Sequence, residues 1–116
     1  MVDPSSLLLA FHRMDNAYPG SIDICIKKAR TTVLFNGLPT ESAYGLAQPG
    51  APFYGSEHTN GGLVVWGGGV PIYLEGKLIG GVGVSGVSAE QDDLVATAGV
   101  LGLGALTSKT GDYDNV

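Results

Sequence analysis

Glu57, His58 and Asn60 stand within four positions of one another in the stretch SEHTNGG (residues 56–62). A carboxylate and an imidazole can move protons, and a side-chain amide can hold negative charge developing on an oxygen. The trio points to acid–base chemistry on a small organic substrate. Tyr54 and the pair Gly61 and Gly62 would border the pocket, since small residues beside convergent polar groups are what a site requires. The competing reading is a loop whose polar side chains satisfy backbone groups around the glycine pair. In an extended segment Glu57 and His58 point opposite ways, which counts toward that second reading.

The other imidazole is His12. With residues 7–14 extended, it shares a face with Met14, and both residue types ligate haem iron. Against this stands a plain strand end carrying one half-buried polar residue. Lys28 and Arg30, with Lys27, form the only cluster of cations, suited to orienting an anionic group on a substrate. Two histidines and one cysteine at positions 12, 58 and 25 give no ligand spacing for structural zinc.

Three glycine motifs need separating from chemistry. GVGVSG (residues 81–86) matches the dinucleotide pattern G-x-G-x-x-G, but no parallel strand follows and position 106, about 20 residues on, is Leu rather than an acid. Glycines that let a strand and a helix approach closely are the expected role there. GVSGV lacks the last glycine of a nucleophile elbow and has no evident triad partners. The run GGG (residues 67–69) leads into Val-Pro and a strand, so it is a joint between pieces of sheet rather than a phosphate cradle.

The elements that must position these residues follow from pattern. DPSS (residues 3–6) is a turn, and LLLAFHRM (residues 7–14), apolar and bounded by turn signals, predicts a strand. Ile22, Cys25, Ile26, Ala29 and Val33 recur at helical spacing over residues 21–36, with Ser21 as the cap and Gly37 and Pro39 as the stop. Two strands, 70–74 and 78–85, are joined by a tight turn at EGK. A last helix starts at Ser88, where SAEQ is a capping box, and its small-residue body extends to residue 106. The fold class expected is α+β, an antiparallel sheet flanked by helices, as one domain over 1–116 with 107–116 a frayed tail.

Composition excludes several classes. Apolar residues make up 44% and charged residues 15%, enough for a packed core. The net charge is −5 and the few cations form no patch, so nucleic acid is not an expected partner. No apolar run approaches the roughly 20 residues that cross a bilayer. One cysteine and no signal peptide fit a soluble, cytoplasmic chain.

The motifs MD, KART, GGGVP, GKLIGGVGVSG and EQD, in that order, resemble the GlcG/HbpS family, which includes haem-binding proteins and the C-terminal domain of PduO-type proteins. The resemblance runs from Val2 to about Ala105. It implies a profilin- or roadblock-like fold, homo-oligomers, and a small ligand, foremost haem or a related tetrapyrrole, with His12 the nearest candidate for the iron. Family members carry a helix and a full first strand before VDPSS; here Met1 and Val2 stand in their place. Two other functions stay open: a cofactor-free enzyme working at residues 54–60, and a structural, oligomer-forming subunit.

Overall fold

A two-stranded hairpin lies at the centre of the computed structural model, which describes residues 1–109. Strand β1 (Gly69–Leu74) pairs antiparallel with β2 (Lys77–Gly83). Glu75 and Gly76 both take positive φ, 51° and 76°, the two-residue turn whose twist suits antiparallel strands. The register runs from Gly69 opposite Gly83 to Leu74 opposite Lys77, with an irregularity between Ile72 and Tyr73.

Helix α1 (Gly20–Leu34) and helix α3 (Ala89–Gly102) cover opposite faces of this hairpin. Side chains alternate along a strand, so Val70, Ile72 and Val82 face one way and pack with Ala96 and Val100 of α3. The other face carries Gly81 and Gly83, whose backbone lies directly against α1. A Cβ on Gly83 would strike the Cys25 carbonyl oxygen and come within 2.7 Å of the Ala29 nitrogen; one on Gly81 would lie 2.6 Å from the Ala29 oxygen. The glycines of GVGVSG therefore serve helix-on-strand contact. A short helix α2 (Thr40–Tyr44) and single 3₁₀ turns at Gly45–Ala47 and Ser56–His58 complete the regular elements.

Two edges of the hairpin are extended by single residues. Val2 exchanges both backbone hydrogen bonds with Gly81, at 2.9 and 3.1 Å, and Leu106 does the same with Tyr73, at 2.7 and 2.8 Å. Pro71, which has no N–H to donate, lies on that second edge, where the loss is tolerated.

Four local expectations change. Residues 7–14 form no strand: Leu8 makes one bridge to Val2, and among the described residues the segment's backbone hydrogen bonds go to Met1, Asp3 and Ala17. A ladder cannot extend beyond its partner, and residues 7–14 are exposed throughout rather than sorted into two faces. Ser21 does not cap α1; Pro19 holds that position, and the Ser21 hydroxyl meets that of Ser85 at 3.2 Å. The second strand ends at Gly83. Helix α3 stops at Gly102 because Gly104 takes φ 77° and Leu106 is drawn to the sheet edge. The turn at Asp3, with its carboxylate accepting from the Ser5 and Leu7 amides, and the Ser88 cap, accepting from the Gln91 amide at 3.1 Å, form as expected. Of the tail 107–116, residues 110–116 lie outside the described residues.

Candidate functional site

The loop carrying Glu57, His58 and Asn60 is built largely by its own backbone. The Glu57 carbonyl accepts from the Leu63 amide at 3.0 Å, and Asn60, at φ 55°, donates from its side-chain amide to Thr59 Oγ1 at 2.9 Å. Glu57 is half-buried, while His58, Asn60 and Gly61 are exposed and Tyr54 is 65% exposed. Among the described residues, no hydrogen bond joins the Glu57 carboxylate to the His58 imidazole. Beside Gly62, the Lys27 ammonium lies 3.2 Å from where a Cβ would stand, and it pairs with Asp23 at 2.9 Å one helical turn back. The cation thus stands beside Gly62, and among the described residues no hydrogen bond or ion pair links it to the side chains of Glu57 or His58.

Lys28, one position further along α1, turns inward. Its side chain has no solvent exposure, and its ammonium bonds the Val84 carbonyl at 2.8 Å and Asp92 at 3.2 Å, 6.0 Å from the centre of the Trp66 ring. Asp92 also accepts from the Val87 amide at 3.1 Å and the Gly86 amide at 3.4 Å. This buried pair ties α1, α3 and the end of β2 together. The spacing Cys25, Lys28, Ala29, Thr32 places Lys28 on the buried stripe of α1, a signal available in the sequence. Arg30 is half-buried and makes no ion pair among the described residues.

The glycine run is a joint with three ties. Gly68 donates to Asp93 Oδ1 at 3.2 Å and accepts from the Val84 amide at 2.9 Å, and the Gly69 amide donates to Thr40 Oγ1 at 2.8 Å. One residue earlier, Trp66 opens onto a cleft of about 690 Å³, bordered also by Tyr44, Glu41, Glu90 and Asp93. A smaller apolar cavity of about 180 Å³ lies at the C-terminal end of α1. Neither is lined by Glu57, His58 or Asn60.

His12 lies in the irregular segment before α1, exposed, among apolar side chains that the chain leaves uncovered. Leu7, Leu9, Met14 and Tyr18 are each more than 60% exposed. Cys25 is half-buried; burial pushes its thiol pKa up, against weaker opposing pulls from the amino terminus, nearby backbone N–H groups and Lys28. Among the described residues no three His, Cys, Asp or Glu side chains gather into a metal-binding group, and no helix is long and apolar enough to cross a membrane.

Residues 1–101 match the family described as haem degrading protein HbpS-like. The chain belongs to the HbpS-like family. It is 43% identical over 97 residues to an uncharacterized 15.0 kDa protein of the dhaT-dhaS intergenic region of Citrobacter freundii, covering 83% of this chain and 68% of that protein. It is also 40% identical over 100 residues to the corrinoid adenosyltransferase PduO of the same organism, covering 84% of this chain but 30% of the enzyme. The crystal structure of a PduOC:heme complex superposes with a TM-score of 0.86 at 36% identity, covering 92% of this chain and 78% of that one. This HbpS-like chain therefore spans about two-thirds of the first relative and under one-third of the adenosyltransferase.

Proposed function

We propose that the chain binds haem, or a closely related tetrapyrrole, through the exposed segment around His12, with that imidazole as the donor to the metal. The likeness to the PduOC:heme complex carries the reading. The residues present suit the group. A tetrapyrrole brings wide apolar faces and an iron that takes imidazole. Residues 7–18 supply an exposed imidazole between Leu7, Leu9 and Phe11 on one side in sequence and Met14 and Tyr18 on the other. The larger cleft suits it less: three carboxylates line it, and it holds no imidazole or sulfur ligand. Bound haem would supply redox chemistry at iron. The chain's part is to ligate, to cover the apolar faces and to limit access of water. The same uncovered side chains support self-association as part of this reading, since an apolar patch of this kind is normally an interface.

Titrating the full chain with haemin while following the Soret band tests the proposal. Saturation at a fixed stoichiometry per chain, unaffected by excess corrinoid, is the expected result. A signal that rises without saturating, as with free haemin, would sink it. Displacement by corrinoid would instead move the ligand class to cobalt tetrapyrroles.

A further inference from the structure

Two asparagines precede glycine, Asn36 before Gly37 and Asn60 before Gly61. In such a pair the backbone nitrogen of the glycine can attack the side-chain carbonyl carbon of the asparagine, because the glycine has no side chain to stand in the way. Both asparagines take positive φ, 58° and 55°, and both are exposed. The fold treats the two attacking nitrogens differently. The Gly37 amide donates to the Thr32 carbonyl at 2.7 Å, closing the end of α1, and a Cβ on Gly37 would strike the Tyr73 hydroxyl. The Gly61 amide makes no hydrogen bond among the described residues, and nothing lies within 4 Å of where its Cβ would stand. Asn16, the third described asparagine, precedes Ala17, whose methyl obstructs the attack and whose amide bonds the Met14 carbonyl at 3.2 Å.

We propose that Asn60 is a self-modification site, where the Gly61 nitrogen converts the side-chain amide to a carboxylate, while the fold protects Asn36 from the same reaction. Water is the only co-reactant. The Gly61 nitrogen gives its proton to solvent and bonds the Asn60 Cγ. The Cγ–Nδ2 bond breaks, and Nδ2 takes up a proton and leaves as ammonia. Water then opens the resulting succinimide ring at one carbonyl or the other, leaving aspartate or isoaspartate. An N–H that donates to a carbonyl must lose that bond before it can give up its proton, so Asn36 reacts only from states in which the end of α1 has opened. Asn60 has no such requirement. Its own backbone makes no hydrogen bond among the described residues, and one bond holds its side chain, from the amide to Thr59 Oγ1 at 2.9 Å. The product changes the loop. It adds a carboxylate to a chain of net charge −5. The isoaspartyl form also lengthens the backbone by one carbon inside the turn that the Gly62 amide closes onto the Thr59 carbonyl at 2.9 Å.

The test is incubation of the folded full chain in heavy-oxygen water at mildly alkaline pH, beside a sample unfolded in urea. Trypsin, applied afterwards in ordinary water, cuts after Arg30 and Lys77 and releases both asparagines in one peptide, residues 31–77. Fragmentation mass spectrometry then reads each position separately, and the heavy oxygen marks conversion that preceded digestion. In the folded chain Asn60 should convert at least about tenfold faster than Asn36, which reacts only through local opening. Isoaspartate should appear among the products, and the two rates should converge in urea. Equal rates at Asn36 and Asn60 in the folded chain, conversion of Asn60 in urea alone, or aspartate as the sole product would overturn the assignment.

Discussion

Lys28 and Asp92 show how little a residue's type reveals about its role. Lys27 and Lys28 are neighbours, yet one pairs with Asp23 at the surface and the other is wholly buried against Asp92. Removing one partner of such a pair leaves an uncompensated charge, at a cost of about 3–5 kcal/mol. Lys28→Met should therefore lower unfolding stability in urea by roughly that amount. The double change Lys28→Met with Asp92→Asn should cost clearly less than the sum of the single changes, because the stranded carboxylate is gone while the Val87 amide keeps an acceptor. Additive losses would show that the pair is not coupled. Cys25 gives a pH prediction. Its folded thiol pKa is raised by burial, so its contribution to stability is fully present below the unfolded cysteine pKa and is lost as pH rises through the folded one. Alkylation by iodoacetamide should accordingly keep accelerating beyond the pH at which the urea-unfolded chain levels off. Identical profiles for folded and unfolded chain would refute this.

Helices α1 and α3, the hairpin turn and the Ser88 cap were legible because each rests on local chemistry: apolar spacing, paired positive-φ residues, a serine hydroxyl accepting from the Gln91 amide. The strand expected over residues 7–14 was not, because a strand exists only where a partner lies beside it, and composition cannot report the partner. The candidate site stands differently. Residue type alone makes His12 and the 57–60 loop candidates, and that is as far as the sequence reaches; the commitment of Lys28 to Asp92 and both cavities come from tertiary packing. GVGVSG matches a nucleotide-loop pattern, but the missing parallel strand and acid marked it as a packing surface, and Gly81 and Gly83 do lie against α1, which mutation can test. Gly83→Ala would push a methyl into the backbone of α1 and should cost about 1–3 kcal/mol or more. Gly86→Ala has open space around it and should be close to neutral. Equal midpoints for the two variants in a denaturant series would mean that α1 does not rest on β2 as described.

At the scale of the whole molecule, two helices enclose the hairpin while the segment before α1 stays uncovered. Leu7, Leu9, Met14 and Tyr18 together expose far more apolar surface than scattered single residues would. We expect the purified chain to sediment as a homo-oligomer at micromolar concentration, with Leu7→Ser/Leu9→Ser shifted toward monomer. A wild type that sediments as monomer throughout would remove self-association from the account. The same segment holds the proposed tetrapyrrole site, so the measurement that matters most is the haemin affinity of His12→Ala beside that of His58→Ala, read from the Soret band. The account predicts that His12→Ala binds at least about tenfold more weakly, a loss of about 1.4 kcal/mol, with a displaced Soret maximum, while His58→Ala matches wild type. Wild-type affinity and an unshifted band in His12→Ala would contradict it.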